Sequence, residues 1–146
     1  MKKIAGIGLI AIINIIAING CSTSSNNDVA PVPDMTAIAG IHTFSVSGAQ
    51  ISATKAAGTL NITASDTVNK RAISFIINHF TAHTGTYTID NNIVRALYDS
   101  SATSTETGAH GSIIFSSVSP TIIGTFSFTC QDSTKIQSGI IIVPAP

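Results

Sequence analysis

Few side chains in this chain can do covalent or metal chemistry: two cysteines, Cys21 and Cys130, and four histidines, His42, His79, His83 and His110. His79 and His83 stand four apart in "NHFTAH", a metal-ligand spacing when both lie on one helical face. The alternating pattern around them predicts a strand and then a turn, with His79 on the face of Ile73 near the strand end and His83 in the turn. Zinc needs at least one further ligand, and two for a closed structural site, whereas His42 and His110 are isolated in sequence. The reading is that no metal is bound and no cofactor is used.

Nucleophilic catalysis needs a Ser, Thr or Cys activated by an oriented base. None of the many serines sits in G-x-S-x-G; "SVSGA" at 45–49 and "SSVSP" at 116–120 read as hydroxyl-rich strand ends. Cys130, a histidine and Asp132 form a thiol site on paper, but a cysteine after "FSFT" is expected in the core as a small apolar residue. Glycoside hydrolysis uses a pair of carboxyl groups, yet Glu106 is the only glutamate and the aspartates fall in predicted turns, where Asp is favoured for its local hydrogen bonds. With no Trp and only Tyr87 and Tyr98, an aromatic sugar platform is not expected. No catalytic residue is assigned, and the chain reads as non-enzymatic.

The elements that would position these groups are strands. "RAISFIINHF" alternates, with Ile73, Phe75 and Ile77 on one face, the period-two signature of a half-buried strand. "TIIGTFSFTC" alternates likewise and places Ile122, Gly124, Phe126, Phe128 and Cys130 together. Further strands are expected at 39–46, 48–55, 58–64, 85–89, 92–98, 110–117 and 137–144, about nine in all, with turn-forming residues between them. The one long loop is expected at 99–109, "DSSATSTETGA". The spacing predicts a single all-β, mostly antiparallel domain over 37–146, a β-sandwich or a β-barrel-like fold. A domain of about 110 residues buries roughly 65% of its unfolded surface, enough for one core.

Residues 21–146 carry five basic groups and seven acidic ones, a net charge of −2. The cations are scattered, whereas nucleic-acid binding draws its affinity from massed Lys and Arg on phosphates, so nucleic acid is set aside as a partner. Charged residues make up only 10% of the chain; the hydroxyl-rich remainder suits an exported β protein.

Lys2 and Lys3 precede an apolar stretch from Ile4 to Ile18. That run is short of the roughly twenty apolar residues needed to span a bilayer, and it leads into Asn19, Gly20 and Cys21, which favours a cleaved signal peptide over 1–20. An ordinary secretory signal and an uncleaved anchor are the alternatives. This stretch resembles a bacterial lipoprotein precursor: Ile18, Gly20 and Cys21 match the cleavage box, while Asn19 departs from its usual small or aliphatic residue. The resemblance implies a diacylglyceryl group on Cys21, cleavage after Gly20 and acylation of the new amino terminus. Several acyl chains make a stable attachment where one is marginal, so the membrane is the implied partner. Cys130 would then lack a disulfide partner. Residues 21–36, "CSTSSNNDVAPVPDMT", read as a flexible tether.

In the mature part, "GTYTIDNN" at 85–92, "ALYDSS" at 96–101, "GSIIFSS" at 111–117 and "GTFSFTCQDSTKIQSGIIIVPAP" at 124–146 resemble small β-rich lipoproteins of Bacteroidota, a class of unknown function. The resemblance is carried by Gly85, Tyr87, Tyr98, Gly111, Gly124, Phe126, Phe128 and Gly139. It implies export, a lipid anchor at the outer membrane or cell surface and a β-sandwich-like fold, with no activity to transfer. The expected role is a structural or interaction module with a protein or glycan partner. The alternative is a small-molecule or glycan-binding barrel, which would leave a void among its inward positions.

Overall fold

A computed structural model describes residues 32–146. Ten strands follow in order: β1 (Asp34–Ala39), β2 (His42–Ser47), β3 (Ile51–Ala56), β4 (Thr59–Asp66), β5 (Arg71–Ile77), β6 (Gly85–Ile89), β7 (Val94–Ser101), β8 (Ser104–Val118), β9 (Thr121–Cys130) and β10 (Lys135–Pro144). They form one sheet in the order β2-β1-β10-β9-β8-β6-β7-β5-β4-β3, which curls into a nearly closed barrel. The pairings are antiparallel except where Ile89 of β6 lies beside Val94 of β7.

The all-β expectation is met, and the differences from the expected elements have local causes. The stretch 39–46, read as one strand, contains the turn between β1 and β2, where Gly40 takes φ +58, a left-handed conformation that glycine adopts without steric cost. β1 begins at Asp34, inside the segment read as tether, because Met35 is fully buried. The expected loop at 99–109 is instead a hairpin, with the end of β7 and the start of β8 joined by a turn at Ala102–Thr103. Its polar sequence hides the strand signature, but backbone pairing needs no apolar side chain once the rest of β8 is anchored.

β8 organises the sheet. On one side it pairs with β9 from Gly108 to Val118. On the other, its first part pairs with β7 and its later part, Gly111–Phe115, with β6. β6 and β7 therefore lie in succession along one partner strand, separated by a detour at residues 90–93. The Asp90 carboxylate closes that detour by accepting the backbone N–H groups of Asn92 and Ile93, both at 2.9 Å.

Alternation sends one face of every strand inward. In β9, Ile122, Phe126, Phe128 and Cys130 are all buried, as the period predicts. Phe75 of β5 meets Phe126 and Phe128 edge-on, at centroid distances of 4.9 and 5.9 Å, a favoured aromatic geometry. Phe44, Phe75, Phe115, Met35, Leu60 and Ile62 are among the fully buried side chains. The barrel interior is thus packed with apolar side chains.

Candidate functional site

Gly20 and Cys21, the residues expected to carry cleavage and lipidation, lie outside the described residues. All four histidines are exposed. His79 does not continue the Ile73 face: β5 ends at Ile77, and His79 takes a left-handed φ of 55°, so that Phe80 turns into the core at 6% exposure. His83 serves its own loop, with Nδ1 2.5 Å from the Thr81 hydroxyl and its carbonyl accepting the Tyr87 hydroxyl at 3.0 Å. Among the described residues, no three His, Cys, Asp or Glu side chains gather to hold a metal.

Cys130 is buried at 2% exposure. Burial pushes its thiol up to about 11, and the charges of Asp132 and Glu106 add to the shift. Asp132 therefore opposes the thiolate that a nucleophile would need. Its carboxylate is occupied in its own turn, accepting the Thr134 hydroxyl at 2.7 Å and the Thr134 N–H at 2.8 Å. Glu106 likewise accepts the Ser104 hydroxyl at 3.1 Å.

The polar site that stands out was not assigned from the sequence: the β4–β5 turn and the side chain of Arg71. Asp66 closes this turn, its Oδ1 accepting the N–H groups of Val68 (3.1 Å) and Asn69 (2.9 Å) and its Oδ2 the Asn69 side-chain amide (2.7 Å). These bonds, the Asn69 N–H foremost, hold its carboxyl below the ordinary aspartate range, with Arg71 contributing. The Arg71 guanidinium stands 3.7 Å from Asp66 Oδ2, the two side chains being 13% and 10% exposed. That distance is an ion pair wider than a hydrogen bond. Among the described residues, the buried Arg71 Nε meets no acceptor, a costly state for a charged donor.

Arg71 borders two surface clefts. One, of about 260 Å³, is bounded by the β4–β5 turn and the β7–β8 hairpin and is lined by Ser65, Lys70, Asp99, Ser101 and Thr105 among others. The other, of about 310 Å³, is lined by His42, Asn69 and Ser100. β2, β4, β5 and β7 thus bring their ends around one arginine. The sequence signal was the adjacent Lys70–Arg71 pair following an Asp-led turn, which by itself reads as a solvated hairpin tip.

A nearly closed β-barrel with a filled interior, its polar groups gathered in external turns, defines a small all-β domain. The chain belongs to a family described as a domain of unknown function (DUF6252), whose profile matches residues 42–143, from the start of β2 almost to the end of β10. No curated protein and no solved structure matches the chain.

Proposed function

We propose that this protein is a lipid-anchored, non-enzymatic lipoprotein of the bacterial envelope, held at the outer membrane or cell surface through Cys21, with the barrel as a structural or interaction module. The observation that carries this reading is the order of Lys2 and Lys3, the apolar run from Ile4 to Ile18, and then Gly20–Cys21. The use of Asp66, Asp90 and Asp132 as turn closers supports a non-catalytic domain. The test is Cys21→Ser in the full chain expressed in a bacterial host. Loss of acyl labelling together with an unprocessed precursor is expected; unchanged processing and membrane fractionation would overturn the anchor.

A second reading, binding of a small molecule or glycan, is favoured by the clefts at Arg71. Because the barrel interior is filled, such a ligand would be held between external turns rather than inside the barrel.

A further inference from the structure

We propose that the cleft between the β4–β5 turn and the β7–β8 hairpin binds a carboxylate-bearing sugar, its acid group on Arg71 and Lys70 and its hydroxyls on the surrounding polar side chains. The inference deepens the second reading above by naming the ligand class, and it does not depend on the lipid anchor.

Three observations carry it. The first is that Arg71, which has the Tyr98 hydroxyl as a neighbour, lacks, among the described residues, a carboxylate within hydrogen-bond distance. Its nearest carboxylate, on Asp66, already accepts three N–H bonds from its own turn and stays 3.7 Å away. A guanidinium is a planar fork matched to a carboxylate, and an incoming one would supply the close charged partner that Asp66 does not.

The second is Lys70, which adopts φ 57 at the turn. Asn or Gly would occupy that left-handed position at less cost than lysine. The residue present is a second cation lining the same cleft.

The third is the character of the walls. Ser65, Ser101 and Thr105 supply hydroxyls and Asp99 supplies an acceptor, while the apolar lining is confined to Ala72 and Ala102. Among the described residues, no large apolar side chain lines the cleft, and a ring carrying several hydroxyls finds both donors and acceptors there, with the alanines and the Lys70 stem left for its apolar face. Asp99, with Asp66 in the same lining, also disfavours a small, purely anionic ligand by like charge, and Asp99 favours one that presents a hydroxyl to it. At about 260 Å³ the cleft lies below the ~300–1,000 Å³ of pockets for drug-sized ligands, which limits it to about one sugar unit.

The experiment titrates the full chain, purified in detergent, with D-galacturonate, D-galactose and acetate, read by chemical-shift changes in ¹H–¹⁵N spectra. Galacturonate is expected to bind about tenfold or more tightly than galactose, the worth of one charge-assisted contact, to bind more tightly than acetate, and to weaken as salt is raised. Arg71→Gln is expected to weaken galacturonate about tenfold or more, and Lys70→Gln by a smaller factor. Lys70 makes no contact with the Asp66 carboxylate, so its variant keeps the test decisive if Arg71→Gln disturbs the turn. Equal binding of galactose would overturn the acidic-sugar assignment while leaving a glycan reading in place. Acetate binding as tightly as galacturonate would overturn the sugar part, and binding of none of the three would overturn the site.

Discussion

The ring of Phe126 occupies the space that a side chain at residue 139 would need: a Cβ on Gly139 would come to 2.5 Å from three of its ring carbons. The two residues are direct cross-strand partners in β9 and β10. A ring also crowds Gly124, whose partner is Phe115 and whose Cβ would come to 2.9 Å from the Phe115 Cδ1; Gly111, paired with Phe128, is instead crowded by the backbone and Cβ of Phe128. Aromatic rings laid over cross-strand glycines are a known way to pin sheet register. Gly124 and Gly139 thus work in pairs with the phenylalanines that face them across the sheet.

Gly139→Ala forces the Phe126 ring to move within a filled core. Overpacking of this kind costs about 1–3 kcal/mol, and urea unfolding should show a lower midpoint with an unchanged slope. A midpoint equal to that of the parent protein would mean the ring yields freely.

Phe75 is fully buried and touches both Phe126 and Phe128. Phe75→Ala should cost about 3–5 kcal/mol, the usual toll of removing a buried aromatic side chain, while Phe75→Leu should cost less because it leaves a smaller cavity. Thermal unfolding of the two variants side by side checks the ranking.

Cys130 has its thiol pushed up to about 11 from an ordinary value of 9.0. At pH 8 the folded protein should therefore alkylate at Cys130 about a hundredfold more slowly than the urea-unfolded chain from ionisation alone, measured by mass spectrometry of the labelled peptide. The raised value disfavours the thiolate in the folded state, so its contribution to stability is present below pH 9 and is lost as pH rises toward 11. Burial also raises the Tyr98 hydroxyl, which acts in the same direction. Cys130→Ala should flatten part of this alkaline loss, and an unchanged alkaline profile would contradict the assignment.

Asp66 is held below the ordinary carboxylate range by the turn N–H groups it accepts, first that of Asn69. A depressed carboxyl contributes stability above its unfolded value of 3.8 that disappears as pH falls through the folded value. Asp66→Asn should lower the unfolding midpoint at pH 7 and reduce the further loss on acidification. Asp90 and Asp132, also depressed by hydrogen bonds within their own turns, should retain the remaining acid sensitivity.

Where inward residues are large and apolar, as in "TIIGTFSFTC", the pattern of the chain matches the burial of β9 residue by residue. It does not reveal the hairpin at 99–109, because serine and threonine sit on both faces of a strand whose stability comes from backbone pairing with its neighbour. Alternation puts His79 on the Ile73 face and the structure does not, for a related reason: a single left-handed residue after β5 breaks the period, and no local composition announces it. The aspartate turns were legible because their hydrogen bonds span only two to four residues.

The sequence by itself determined the all-β class, the inward face of its most apolar strands, the burial of Cys130 and the aspartate-closed turns, since each follows from chemistry within a few residues. Only the tertiary structure decided the order of the ten strands, the glycine–phenylalanine pairing across β8, β9 and β10, and the meeting of Lys70 and Arg71 with Asp99, Ser101 and Thr105. Those arrangements depend on pairings between residues far apart in the chain, and alternation specifies which face a side chain takes without specifying which strand will lie beside it.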